Sequence, residues 1–139
     1  MKNLLIIAVL FLLSASVCLY AGTKVSSANS LITNKAIDNY IAGINSGNDG
    51  VELSCAYFMG EYKITEGVIP LMKILHDGKT EEARIIAALA LTKIGTPMAL
   101  YAVKEASRLD DSERVRRLCK GFYDSYLLNA GNNKLEAAL

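Results

Sequence analysis

The chain has 139 residues and is 52% hydrophobic, which allows one modest domain. Its 14 acids and 15 bases leave it nearly neutral, without the basic excess expected of a nucleic-acid binder. A single histidine and three cysteines leave little material for a metal centre or a disulfide framework.

Taken in chain order, the first element is an apolar run from Leu4 to Leu13 that follows the single positive Lys2 and gives way to small residues. This is the layout of a secretory signal peptide over residues 1–21, with cleavage expected at Ala21 or Gly22, although Leu19 is larger than usual for its place. Retention of the segment as a membrane anchor is the rival reading; against it, the run is shorter than the ~20 residues of a spanning helix. Lipid attachment at Cys18 would call for a small residue before it, where Val17 stands. The chain is therefore expected to be exported, periplasmic or secreted, with a short linker at 22–30.

From residue 31 the pattern is helical and it repeats. Val68, Leu71, Met72 and Leu75 mark one face of a helix. A shift of 31 residues forward gives Ala99, Ala102, Val103 and Ala106, and 31 back gives Ile37, Tyr40, Ile41 and Ile44. A second set recurs at a spacing of 32: Val51, Ala83 and Val115; Cys55, Ala87 and Cys119; Phe58, Ala90 and Phe122; Met59, Leu91 and Tyr123. Asp49, Thr80 and the Asp110–Ser112 stretch stand where the second helices begin, Gly95 where the middle one ends, and Pro97 where the next starts. Pro70, early in its helix, is tolerated for the same reason as Pro97. These signals predict helices at about 31–45, 50–61, 66–76, 80–94, 97–108 and 111–128, followed by a tail at 130–139. The fold class is all-α, three antiparallel helix pairs whose stacking makes a continuous core.

The central stretch EEARIIAALALTKIGTPMALYAVKEA resembles the short HEAT-like repeat of the phycobilin-lyase type through Ala83-Arg84, Ala87-Ala88, Leu91, Ile94-Gly95 and Pro97. Val115-Arg116 keeps the pattern in the third unit; the first departs from it at Glu52 and lacks the Ile-Gly-x-Pro turn. The resemblance covers residues 31–129 and implies a right-handed α-solenoid. It implies no lyase activity, because such repeats serve many functions.

The residues contain no acid–base or nucleophile constellation, so no catalytic residue and no enzyme activity are expected. His76 has no partner histidine, and neither a metal nor a cofactor is expected. Arg84 and Arg116 recur at one rung, each expected to pair with the acidic turn before its own helix: Asp77 for Arg84, Asp110 or Asp111 for Arg116. Cys55 and Cys119 lie two rungs apart and are expected to remain buried free thiols. The outward face of the second helices carries Leu53, Ala56 and Tyr57, then Ile85, Ala88 and Leu89, then basic Arg117 and Lys120 beside Gly121. Leu53, Tyr57, Ile85, Leu89, Arg117 and Lys120 are thus the candidate site for an unidentified protein or peptide partner. A homodimer, the amino-terminal helix, or a tail folded back through Leu127, Leu128, Leu135 and Leu139 would cover the same face. Two other functions remain open: an accessory subunit holding a small apolar ligand or pigment, and a self-associating envelope protein.

Overall fold

The computed structural model describes residues 33–136, with side chains to residue 133; the signal segment, Cys18, the linker at 22–30, Leu135 and Leu139 lie outside this description. Among the described residues the chain is all-helical: α1 (Asn34–Ile44), α2 (Asp49–Glu61), a 3₁₀ turn (Thr65–Gly67), α3 (Val68–Asp77), α4 (Glu81–Ile94), α5 (Pro97–Leu109) and α6 (Glu113–Glu136). No helix among them is long and apolar enough to cross a membrane.

The boundaries follow from side chains that satisfy the orphan amides of each first turn. Thr33, Asn48, Thr80, Thr96 and Ser112 each accept a hydrogen bond from the amide three residues on, at 3.2–3.4 Å. At α2 the capping residue is Asn48; Asp49 lies inside the first turn, where its charge favours the helix amino terminus. Gly95 ends α4 at φ 72°, a left-handed conformation that glycine adopts without penalty, and Pro97 opens α5 two residues later. The last helix passes residue 128 and runs on to Glu136 through most of the expected tail. Through residue 136 the tail continues α6, and Leu127 and Leu128 are exposed instead of turning back over the second helices.

Short connections place α1 against α2, α3 against α4 and α5 against α6. Between pairs, α2 packs on α4, α4 on α6 and α3 on α5, while α4 also touches α5. Helix α4 therefore has neighbours on nearly every side, which accounts for its all-round apolar sequence. α2 and α4 approach closely at Gly60: a Cβ placed there would lie 2.6 Å from the Ala90 Cα. Met59, Leu71, Leu91, Val103, Val115 and Cys119 are the largest fully buried side chains.

Candidate functional site

Comparing each helix with its counterpart one repeat away separates the residues into columns. Ala56 and Ala88 are fully buried, whereas Lys120, 32 residues beyond Ala88, is exposed. This column therefore faces the neighbouring helix pair, and its last member, which no further pair covers among the described residues, meets solvent. The expectation that Ala56, Ala88 and Lys120 line an outward face is corrected accordingly. Leu53, Ile85 and Arg117 form a second column that is half-buried until its exposed last member. Leu53 and Ile85 pack against the core, and Leu53 turns into a cleft between the first two pairs. Only the third column, Tyr57, Leu89 and Gly121, points outward as expected: Tyr57 is 43% exposed and Leu89 half-buried. The predicted six residues are thus divided between an outward strip, a cleft and the open end of the stack.

The outward strip is bordered by charge. Lys93 pairs with Glu61 across α2 and α4, and its Nζ sits 5.2 Å from the centre of the Tyr57 ring. The Lys93 ammonium, and then the Tyr57 hydroxyl, hold the Glu61 carboxyl below its ordinary range; that carboxylate in turn raises the Tyr57 phenol. At the other end of α4, Arg114 donates to Glu82 at 3.1 Å and Glu81 at 3.3 Å. The Glu82 amide, and then Arg114, lower the Glu82 carboxyl. Lys120 pairs with Asp124 at 2.6 Å on its own helix.

The two arginines repeat: Arg116 meets Asp110 and Asp111 as expected, though through their carbonyls and not their carboxylates, whereas Arg84 does not meet Asp77. Arg84 Nη1 donates to the Gly78 carbonyl at 2.8 Å, and Arg116 Nη1 to the Asp110 carbonyl at 2.5 Å, each reaching six residues back. Each thereby satisfies the carboxyl terminus of the helix before it, where free carbonyls and the helix dipole favour a cation. The Nε and Nη2 of Arg84 face the next pair and hold the Asp110 carboxylate at 2.8 and 3.2 Å, with Asp110 also accepting from the Ser112 amide at 2.8 Å. Asp77 instead pairs with His76 at the surface, raising the imidazole pKa.

Between the first and second pairs this clamp is missing. Glu52 occupies the arginine position and Gly78 the position of Asp110, the residue that follows the first helix of its pair. A cleft of about 340 Å³ opens there, floored by Ile44, Leu53 and Ile74 and rimmed by Glu52, Lys73 and Lys79. The departure at Glu52 was legible in the sequence; the cleft it lines was not.

At the opposite end of the stack, Val51 and Phe58 are 43% and 42% exposed, whereas their counterparts Ala83 and Ala90 are buried. They were expected in the core, and they meet solvent; among the described residues no second helix precedes α2 to cover them. Phe58 stacks on Tyr62 with ring centres 6.0 Å apart and meets Tyr57 edge-on at 5.5 Å. Cys55 and Cys119 are free thiols. Burial pushes Cys119 up to about 11; Cys55, half-buried with its sulfur seated over Gly43, is raised by the same cause. Among the described residues no group of three His, Cys, Asp or Glu side chains could hold a metal ion.

No family model, curated protein or solved structure matches the chain.

Proposed function

We propose that this chain is an exported, non-enzymatic HEAT-like repeat scaffold, a right-handed α-solenoid of three helix pairs, that binds a protein or peptide through the face of its second helices. The repeat reading is supported by the arginines, which recur 32 residues apart and make the same bond to the carbonyl six residues back. The stacking of α2 on α4 and α4 on α6, with the small side chains of Ala56 and Ala88 buried, fits the same reading. Export rests on the leader-like residues 1–21 alone.

The observation that carries the binding role is Tyr57. Its helix is firmly seated, with Ala56, Met59 and Gly60 buried, yet the Tyr57 ring stays 43% exposed, edge-on to Phe58 and close to the Lys93–Glu61 ion pair. An aromatic anchor with an apolar neighbour and a charged rim is the usual make-up of a binding hot spot. Leu53 and Ile85 pack against the core, and Arg117 and Lys120 are exposed on the last helix. The test is an affinity isolation of the full chain beside its Tyr57→Glu and Leu89→Glu variants. Loss of one co-purifying protein from both, with helical content unchanged, supports the role; retention by both removes the strip from consideration.

The cleft at Glu52 favours a second reading, an accessory protein for a small ligand, since about 340 Å³ lies at the low end of ligand-site volumes. Its charged rim fits a polar ligand better than an apolar pigment.

A further inference from the structure

The junction between the first and second pairs can be compared, residue by residue, with the one between the second and third. In the latter, Arg84 crosses to the Asp110 carboxylate at 2.8 and 3.2 Å, and Glu81 accepts from the Ser112 hydroxyl at 2.6 Å. In the former, 32 residues earlier, the same places hold Glu52 and Gly78, Asp49 and Thr80. Neither pairing forms a bond there, and all four residues line the cleft of about 340 Å³. The cleft therefore lies where the next junction keeps its guanidinium. Its charges are also arranged differently. The first pair contributes Asp49 and a half-buried Glu52, the second Lys73 and Lys79, and among the described residues none of these is in an ion pair.

We infer that this cleft binds a guanidino carboxylate, the chemistry shared by free arginine and by the carboxy-terminal arginine of a peptide. Such binding presupposes the ligand cleft proposed above and is independent of the Tyr57 strip. Glu52 starts from the backbone position of Arg84 but is a shorter side chain. Its carboxylate stops short of the place a guanidinium would reach, and it can hold a ligand's planar fork bidentately. Ile44, Leu53 and Ile74 floor the cleft and suit the methylene stem of arginine. Lys73 and Lys79 offer the ligand's carboxylate two point charges, with Gly78 in the place of Asp110 and Asp77 paired to His76. The volume, at the low end for ligand sites, fits a molecule of amino-acid size.

The experiment titrates the isotope-labelled full-length chain with L-arginine, agmatine, L-citrulline, L-lysine and a tripeptide ending in arginine, and follows the backbone amides of residues 45–53 and 73–80 by NMR. Arginine should shift amides in both stretches and saturate. Agmatine, which lacks the carboxylate, and citrulline, which lacks the charge, should each bind at least about tenfold more weakly. Glu52→Gln should weaken arginine by a similar factor. Glu52→Arg, which gives the first pair the side chain of the other two, should abolish binding by filling the place itself; thermal melting should show both variants folded. Tighter binding of the tripeptide than of arginine would identify a peptide end as the source, and weaker binding the free amino acid. Equal binding of arginine, agmatine, citrulline and lysine, or binding indifferent to Glu52→Gln, would overturn the guanidino carboxylate and leave a ligand cleft. No shift in either stretch with any compound would overturn both.

Discussion

Removing the Arg84 guanidinium should be among the most damaging single changes available in this chain. The Asp110 side chain is 6% exposed and that of Arg84 16%, so the pair is largely withdrawn from water and joined by two hydrogen bonds. Arg84→Met keeps most of the apolar stem but leaves the Asp110 carboxylate with the Ser112 amide alone. Uncompensated buried charges of this kind cost about 3–5 kcal/mol, a large part of the ~5–15 kcal/mol of a typical domain. At about 4–8 °C per kcal/mol, even the lower figure lowers Tm by roughly 12 °C. Asp110→Asn should cost less, because the amide oxygen still accepts from Arg84. The double variant should be more stable than the two single losses added together, with a coupling of about 1–3 kcal/mol. Urea unfolding of the four proteins measures this directly. A loss of about 1 kcal/mol or less for Arg84→Met, with no coupling, would mean the pair behaves as an exposed one and does not join the last two helix pairs.

Four further outcomes follow from the same packing. Cys55 should react with a thiol reagent in the native protein well before Cys119, whose alkylation should track global unfolding in mass-resolved labelling. Because folding raises the Cys119 thiol from an ordinary 9.0 to about 11, the stability this gives is complete below pH 9 and is lost as the pH climbs toward 11. Cys119→Ala, which copies Ala87, should flatten that part of the stability-versus-pH curve relative to wild type. Gly60→Ala should destabilise by about 1–3 kcal/mol in denaturant unfolding, because its Cβ would meet the Ala90 backbone and force α2 from α4. Gly95→Ala adds a left-handed strain of about 1 kcal/mol and brings a methyl within 3.0 Å of the Tyr126 ring, to be read as a lower Tm.

Helix positions were legible because caps, prolines and apolar periodicity act within a few residues of one another. The predicted ends lie close to the observed ones except at α6, where neither a glycine stop nor a proline follows residue 128 closely enough to end the helix; Gly131 is passed through. Orientation around each second helix was less legible. Periodicity identifies an apolar face but cannot tell a flank covered by the next pair from a flank open to solvent. Ala56 and Ala88 were therefore misread as outward, and the apolar surplus of α4 belongs mostly to its many packed neighbours. The same limit hid the exposure of Val51 and Phe58, which no second helix among the described residues covers. The carboxylate partner of Arg84 was misassigned because proximity in sequence favours the preceding turn, whereas its long side chain spans to the next pair. Of the candidate site, Tyr57 and Leu89 remain where the sequence put them.

The central claim, that the strip around Tyr57 binds a partner, is tested most directly by a photoreactive residue at Tyr57 in the full-length chain, irradiated in intact cells and analysed by mass spectrometry. The account predicts a discrete foreign protein, lost when Leu89→Glu is added. An adduct with this chain's own carboxyl-terminal residues or with a second copy, or one indifferent to Leu89→Glu, would contradict it.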